Sequence, residues 1–283
     1  MPQTMHILYA GAGDIATRCA TLMKGRAARQ WALRRSAAES EDTPLQCLQA
    51  DLTMPRTLER LPKSITHVLY TATPSLRSPE AYAAVYDTGL RNLIAALDLS
   101  SLQRFIFVSS TAVYGHCTGL QDESSPTPAP QFNGQALLKA EQFLQSTLGD
   151  KAVAIRFSGI YGPERMALIQ KLMQDTITVA ASPGNWANRI HIDDVTQACA
   201  HLLQLSAPEP VYIATDDTPM EIADLYDQLA AHIGAPAPAH NYNAPSSGKR
   251  FSNTTLKESG WTLKWPDTLE GYRAIIASRP AAT

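Results

Sequence analysis

The feature that most constrains this chain is a glycine-rich turn between a short apolar run and a helical pattern. The apolar residues Met5–Ala10 lead directly into Gly11-Ala12-Gly13-Asp14-Ile15-Ala16, a G-x-G-x-x-A sequence. In such a turn Gly11 permits the tight reversal, Gly13 lets a bound group approach the backbone, and Ala16 allows close packing of helix on strand. An ordinary glycine-rich turn is the alternative. A strand before the turn and a helix after it favour a site for the diphosphate of a dinucleotide, which the helix N-terminus attracts.

The ends of the next apolar runs bear on which dinucleotide fits. Trp31–Arg34 ends in Arg34-Arg35, where a site that prefers NAD would place an acidic side chain. Two guanidiniums suit the 2′-phosphate of NADP, although they are equally typical of a solvated basic turn. We therefore expect NADP, with NAD as the alternative. Asp51-Leu52 can reach the adenine edge, or Asp51 can cap a helix. The predicted cofactor-binding residues are Gly11, Gly13, Asp14, Ile15, Arg34, Arg35, Asp51, Leu52, Thr71 and Ala72.

Short apolar runs alternate with amphipathic stretches along most of the chain. The expected strands are Met5–Ala10, Trp31–Arg34, Leu45–Asp51, Ile65–Ala72, Arg104–Ser110, Val153–Phe157 and Val211–Ala214. The expected helices are Ile15–Gly25, Pro79–Leu99, Gln135–Leu148 and Asp193–Leu205. This alternation predicts an α/β fold of the Rossmann type, a doubly wound parallel sheet. After Phe157 the pattern weakens, and Gly159–Arg165 and Ser182–Asn188 suggest irregular structure, while Ser124–Pro130 and Ala235–Pro245 suggest loops.

These patterns predict two parts within a single unit of 1–283. Residues 1–158 and 189–216 are expected to form the dinucleotide-binding part. Residues 159–188 and 217–283 are expected to form a smaller, discontinuous C-terminal substrate lobe.

Composition and charge exclude several classes of function. The formal net charge is −2, so we expect neither a nucleic-acid partner nor binding to an anionic membrane. The four cysteines are scattered without a C-x-x-C pair, which is typical of a reducing compartment. The first apolar run is too short for a signal or membrane helix, so a cytoplasmic protein is expected. The histidines show no metal-ligand spacing, and no metal is predicted.

Three further segments resemble one known family. Ser109-Ser110-Thr111-Ala112-Val113-Tyr114-Gly115 resembles the SS-x-x-VYG motif of extended short-chain dehydrogenases/reductases, the NAD-dependent epimerase/dehydratase group. Arg156–Pro163 is similar to that group's R-x-x-GIYGP, and Arg189–Val195 to its RIHVDDV helix entry. Lys249–Asn253 with Ser259–Trp261 resembles the signature of its substrate lobe. The resemblance covers nearly the whole chain and implies a small-molecule substrate and a nicotinamide cofactor.

The same segments supply the candidate substrate-binding residues. Tyr161 and His191 lie in the family-like motifs, although Asp193-Asp194 beside His191 are equally explained as the start of a helix. Lys249 and Arg250 form a possible anion clamp for a phosphate or carboxylate. Surface solvation is the alternative for this basic pair.

The chain departs from the resemblance at the catalytic pair. Members of that family use Tyr-x-x-x-Lys with a Ser or Thr, the tyrosine acting as general acid and base. Anchoring on Gly134 and Ala140-Glu141 puts Asn133 and Leu137 at the two positions, whereas anchoring on Lys139 puts Gln135 at the tyrosine position. Asparagine and glutamine do not titrate near neutral pH. Ser110 matches the family's Ser/Thr position, so the catalytic candidates are Ser110, Tyr114 and Asn133, with packing as the alternative for Tyr114.

Two functions are consistent with this pattern. The first is an atypical NAD(P)-dependent oxidoreductase or epimerase/dehydratase-like enzyme acting on a small polar metabolite, for which a sugar derivative is one candidate. The second is a catalytically silent NADP(H)-binding sensor or regulatory protein. The apolar residues of the Pro79–Leu99 and Gln135–Leu148 helices are consistent with a homodimer, although a core face within one chain explains them equally well.

Overall fold

The computed structural model describes residues 4–36, 45–246 and 248–278. Its strands are β1 His6–Ala10, β2 Arg29–Arg34, β3 Gln46–Gln49, β4 His67–Tyr70, β5 Arg104–Ser110, β6 Gly119–Gln121, β7 Ala152–Phe157, β8 Gly159–Tyr161, β9 Thr178–Ala180, β10 Trp186–Ala187, β11 Arg189–His191, β12 Val211–Ala214, β13 Met220–Glu221, β14 Ala239–Asn241 and β15 Lys249–Phe251. Its α-helices are α1 Asp14–Leu22, α2 Pro79–Ala83, α3 Leu90–Ala96, α4 Phe132–Leu148, α5 Ala167–Met173, α6 Ile192–Gln204, α7 Ile222–Ile233, α8 Thr254–Glu258 and α9 Thr268–Ala277. Short 3₁₀ turns cover Pro55–Leu58, Thr111–Tyr114 and Gly149–Lys151, and a π-helical turn, Ala84–Gly89, joins α2 to α3.

Seven strands form one sheet in the order β12-β7-β5-β4-β1-β2-β3. The pairs β1–β2, β1–β4, β2–β3 and β4–β5 are parallel. Strand β1 lies in the interior of the sheet, between β4 and β2, and its residues Ile7–Ala10 are fully buried, because helices cover both faces of such a sheet. The prediction of a doubly wound parallel α/β sheet is confirmed.

The boundaries of the elements follow local signals. Strands β5 and β12 have the bounds expected from their apolar runs. Helix α2 begins after Ser78, whose side chain accepts a hydrogen bond from the Ala81 N–H, with Pro79 at the first helical position. Helix α4 begins three residues before the expected start, at Phe132.

The described residues divide into two compact units. The first comprises the residues up to Gly115, together with Ala129–Arg156 and Thr196–Tyr212. The second comprises His116–Pro128, Phe157–Val195 and the residues from Ile213 onward. Relative to the expected division, the second unit also takes in 116–128, 157–158, 189–195 and 213–216.

The second unit has its own apolar core and several short strand pairs. Residues of α5, α7 and α9 pack with Tyr161, and the buried members include Ile169, Leu225, Leu229 and Ile275. The pairs are β8–β11, β9–β14, β6–β15 and β10–β13. The expectation of irregular structure at Gly159–Arg165 and Ser182–Asn188, and of a loop at Ala235–Pro245, is therefore wrong in part. Strands β8, β10 and β14 are two or three residues long, too short for an apolar pattern to reveal them.

Candidate functional site

The glycine turn lies between β1 and α1 with the geometry that the sequence demands. Gly11 has a φ of +85°, and a Cβ on it would lie 2.3 Å from the Cα of Ala72. Its N–H donates to the Leu33 carbonyl at 3.1 Å, and its carbonyl accepts from the Thr71 hydroxyl at 2.8 Å. The ends of β1, β2 and β4 therefore meet at this turn, so Thr71 and Ala72 are brought to Gly11.

Gly13 differs from Gly11 because no packing of the chain requires it to be glycine. A Cβ built on Gly13 would meet nothing closer than the Gly11 carbonyl oxygen at 4.0 Å. Gly13 is also the residue that precedes α1, and it has no side chain to bind the N–H groups of the first helical turn. The space above Gly13 is thus open and faces the N–H donors of a helix start, an arrangement that fits a phosphate group. Asp14 pairs with Arg18 one turn along the helix at 2.6 Å, and Ile15 is half-buried.

The two arginines after β2 have different surroundings. The Arg34 guanidinium donates to the carbonyl of Ala12 within the glycine turn, and Arg35 is exposed. Arg34 therefore stabilises the glycine turn and places its positive charge beside it. Arg35 is the more solvent-accessible of the two arginines.

Asp51 and Leu52 form a turn after β3. The Asp51 carboxylate accepts from the N–H and hydroxyl of Thr53 at 2.8 and 2.7 Å, so it closes a local turn. The residue that precedes the 3₁₀ helix Pro55–Leu58 is Met54, so Asp51 does not occupy the capping position of that helix. The Leu52 carbonyl accepts from the Asn92 side chain at 2.9 Å.

Ser110 is the last residue of β5 and begins the 3₁₀ turn Thr111–Tyr114. Its Oγ accepts from the N–H of Ala112 at 3.2 Å. The first turn of α4 packs directly on this segment, since a Cβ on Gly134 would lie 2.8 Å from the Ala112 carbonyl oxygen. Asn133 precedes Gly134, and its Oδ1 is buried without a hydrogen-bond partner among the described residues.

The two alternative residue pairs on α4 for the tyrosine and lysine positions differ in solvent exposure. Leu137 is buried, and Asn133 lies four residues before it on the same helical face. Gln135 and Lys139 are both exposed. The inward face of α4 therefore presents Asn133 and Leu137, and the pair Gln135 and Lys139 faces outward.

A buried ion pair joins α4 to the central sheet. The Arg156 guanidinium binds the Glu141 carboxylate, with Nη2–Oε2 at 2.6 Å and Nε–Oε1 at 3.1 Å. The Ser109 hydroxyl donates to Glu141 Oε1 at 2.5 Å, and Arg156 Nη1 donates to the Tyr114 hydroxyl oxygen at 2.8 Å. Of the two serines in the SS-x-x-VYG motif, Ser109 is therefore turned to Glu141 by its hydroxyl group. Tyr114 is fully buried, as in the packing alternative for this residue. Sequence reasoning missed this network.

In the second unit, Tyr161 and His191 come together in the core. Their rings lie 5.1 Å apart in an edge-on arrangement, and Tyr161 also stacks on Tyr272 at 4.4 Å. Burial raises the pKa of Tyr161 well above its usual range, which keeps the phenol neutral. Both side chains are buried, so packing is the role that their contacts display.

Asp193 and Asp194 tie a distant segment to the start of α6. The fully buried Asp194 carboxylate accepts from the Lys264 and Trp265 N–H groups at 2.6 and 3.0 Å. Asp193 accepts from the Lys264 ammonium at 2.9 Å. The helix begins at Ile192, so both residues lie in its first turn rather than preceding it.

The two basic candidates of β15 have unlike environments. Lys249 is half-buried, and burial lowers the pKa of its ammonium. The exposed Arg250 guanidinium lies over the Trp186 ring at 4.8 Å. These contacts do not bring either side chain to the Tyr161–His191 pair.

Asp216 is a perturbed acid that the sequence did not reveal. It is 3% exposed, its Oδ2 accepts from the Thr268 hydroxyl, and its Oδ1 has no hydrogen-bond partner within the described part of the chain. Burial is the main cause that raises its pKa to about 7, with Asp267 and Asp217 adding to the effect and Thr268 and Arg189 opposing it. The Asp216-Asp217 pair carries no periodic or motif signal.

Across the described residues, no helix combines the length and the apolar character needed to cross a membrane.

Comparisons with known proteins show which family this chain resembles. The profile of the NAD dependent epimerase/dehydratase family matches residues 11–214. A candidate NAD-dependent epimerase/dehydratase from Methylobacillus flagellatus is 34% identical, covering 98% of this chain and 99% of that one, with a TM-score of 0.81. UDP-glucose 4-epimerase of Thermus thermophilus, in complex with NAD, is 19% identical over 96% and 98% of the two chains, with a TM-score of 0.80, which shows a shared fold.

A curated relative is more distant. Protein YeeZ of Escherichia coli (strain K12) is 27% identical over 188 residues, which are 65% of this chain and 66% of YeeZ. The match to YeeZ thus spans slightly less than two-thirds of that protein. The family profile covers well over half of the present chain, and the Methylobacillus flagellatus protein matches nearly all of it. The chain therefore belongs to the NAD-dependent epimerase/dehydratase family, the family that its strand-end motifs resemble.

Proposed function

We propose that this chain is an NAD(P)-dependent oxidoreductase or epimerase-like enzyme for a small polar, sugar-derived metabolite, and that it works without a Tyr-Lys pair. The observation that carries the proposal is the convergence of Gly11, Gly13, Thr71 and Ala72 at the strand ends of one unit. The open space above Gly13 has no purpose in the packing of the chain itself. The fit of this space to a diphosphate supports the binding of a dinucleotide.

The cofactor contacts follow from this placement. The N–H groups at the start of α1 hold the diphosphate, and Asp51-Leu52 reaches the adenine side. The exposed Arg35 binds a 2′-phosphate, and Arg34, held by the Ala12 carbonyl, adds its charge. NADP is therefore preferred, although the Thermus thermophilus epimerase was observed with NAD.

The catalytic proposal rests on the inward face of α4. No tyrosine in the sequence is followed by lysine four positions later. Asn133 and Leu137 take the two positions, because Gln135 and Lys139 face outward. A bound nicotinamide would supply or accept the hydride.

The polar groups at this centre are Ser110 and Asn133. The Ser110 hydroxyl donates to a substrate oxygen, and the Asn133 amide orients that substrate without titrating. Tyr114 does not serve as the acid, since its hydroxyl is buried on Arg156. Protons therefore exchange between the substrate oxygen and solvent through Ser110.

For the substrate, Lys249 and Arg250 are the proposed anion contacts in the second unit. A partly desolvated ammonium and a guanidinium together suit a phosphate or carboxylate. Contact of Tyr161 or His191 with substrate remains a prediction and requires their packing to open.

Calorimetric titration with NADH and NADPH tests the cofactor. The parent is expected to bind both, and Gly13→Val is expected to abolish binding while the fold remains, because the added side chain fills the open space. Arg35→Ser should weaken NADPH binding and spare NADH, because the contact of Arg34 with the glycine turn stays in place. Arg29→Ser, at the other end of β2, is the matched control. A parent that binds neither nucleotide contradicts the proposal.

Turnover of a panel of small carbonyl and sugar substrates tests the chemistry. With a substrate found, Ser110→Ala is expected to lower the rate by one to several orders of magnitude, on the order of 10- to 1,000-fold. Tight nucleotide binding without turnover of any substrate would favour the sensor instead.

A further inference from the structure

Burying the Glu141–Arg156 ion pair costs free energy, because both charges lose their hydration. The presence of this pair in the core therefore needs a physical explanation. Both side chains are 6% exposed, and they bind through a forked contact of three hydrogen bonds. Removing two charges from water costs several kcal/mol, and apolar residues of similar volume stabilise a fold as well. Burial alone would lower the pKa of Arg156, but its bonds to Glu141 outweigh burial and raise it. The Arg156 guanidinium is thus held in its charged form beside the Glu141 carboxyl group.

Each partner of the pair also binds one end of the segment that contains Ser110. Glu141 accepts from the Ser109 hydroxyl, the residue before Ser110. Arg156 donates to the hydroxyl of Tyr114, the last residue of the 3₁₀ turn, and its guanidinium lies 5.1 Å from the centre of that ring. One rigid ion pair therefore fixes both ends of residues 109–114.

The middle of the segment is fixed by the backbone around it. Ser110 Oγ accepts from the Ala112 N–H, and the Val113 carbonyl accepts from the Ala129 N–H at 3.1 Å. The Ala112 carbonyl lies against Gly134. With the ends and the middle held, the Ser110 hydroxyl has one preferred direction relative to the strand end.

We propose that the Glu141–Arg156 pair is a positioning device that sets the orientation of Ser110 beside the nicotinamide half of the cofactor. Neither charged residue touches the reacting atoms. This inference rests on the proposed function, because it takes Ser110 as part of the nicotinamide site. It adds that a buried electrostatic network, rather than the missing tyrosine and lysine, organises that site.

The test compares binding of NADH and NADPH, which contain the nicotinamide, with binding of ADP-ribose, which lacks it. Ser109→Ala removes one bond to Glu141 and leaves the ion pair and the buried volume nearly unchanged. We expect Ser109→Ala to weaken NADH and NADPH binding roughly three- to tenfold and to shift the fluorescence of bound NADH. ADP-ribose lacks the nicotinamide, and its affinity is expected to stay at the parent value. Glu141→Gln should show the same split, with a larger loss of about tenfold or more.

The controls address folding and chemistry separately. Ser109→Thr keeps a hydroxyl and should restore parent binding, whereas Ser146→Ala, an exposed serine on the same helix as Glu141, should change nothing. Where Glu141→Gln fails to fold, Ser109→Ala decides alone. Equal loss of NADH and ADP-ribose binding in Ser109→Ala, or no loss of either, overturns the positioning role. Absence of binding of either ligand by the parent refutes the proposed function and this inference together.

Discussion

The buried carboxyl of Asp216 makes the stability of this protein depend on pH in a defined direction. In the second unit, its Oδ2 accepts from the Thr268 hydroxyl, and its Oδ1 is buried without a partner among the residues described. Arg189 is the cationic group that favours its ionised form, and Asp217 and Asp267 oppose it. Burial outweighs the favourable contacts and raises the pKa from 3.8 to about 7. At neutral pH the folded chain therefore holds this proton far more tightly than the unfolded chain does.

The size of the effect follows from the two pKa values. Their difference corresponds to about 4 kcal/mol of unfolding free energy, as an upper estimate. Because the folded pKa is the higher one, the contribution is fully present below about pH 4. It is lost as the pH rises to about 7, where the folded state also releases the proton.

Asp216→Asn removes the titration and keeps an acceptor for Thr268. We expect parent and variant to be about equally stable at pH 4. At pH 8 the variant should be more stable, by up to about 4 kcal/mol. The measurement is urea unfolding at half-unit steps between pH 4 and 8.5, followed by circular dichroism on the full chain.

The decisive quantity is the difference in unfolding free energy between variant and parent at each pH. Asp224→Asn, an exposed carboxylate of the same unit, is the control and should follow the parent. A difference between Asp216→Asn and parent that is constant across this pH range would refute the reasoning. That result would mean that Arg189 or water keeps Asp216 ionised in the folded state.

Three further predictions concern single contacts. Gly11→Ala should destabilise the fold by about 3 kcal/mol in urea unfolding, because φ is +85° and the new methyl would strike Ala72; parent-like stability would contradict this. Gly13→Ala should change the unfolding free energy by less than about 0.5 kcal/mol. The same variant should weaken nucleotide binding about tenfold, as measured by calorimetry. A stability loss equal to that of Gly11→Ala would show that Gly13 has a structural role instead. Asp194→Asn should cost about 2–3 kcal/mol and red-shift the Trp265 fluorescence, because an amide N–H would face a backbone N–H; an unshifted spectrum would mean that the segment is held elsewhere.

Much of the central sheet was predictable because its signals are local. The apolar runs of β1, β5 and β12 and the glycines after β1 each restrict the chain at their own position. The short strands of the second unit were not predictable, since β10 and β14 depend on partners far along the chain. Strand-end motifs also located Ser110 correctly at the end of β5, but they did not reveal that the neighbouring Ser109 turns away to Glu141.

By itself, the sequence determined the α/β class, the place of the glycine-rich turn and the absence of a Tyr-x-x-x-Lys pair. Those properties depend on residue type and short-range spacing. The tertiary structure alone decided which face of α4 is inward, that Glu141 meets Arg156, and that Asp194 holds the segment at Lys264, seventy residues away. Such contacts join segments that no local pattern relates, and their energy depends on burial, which exists once the chain has folded.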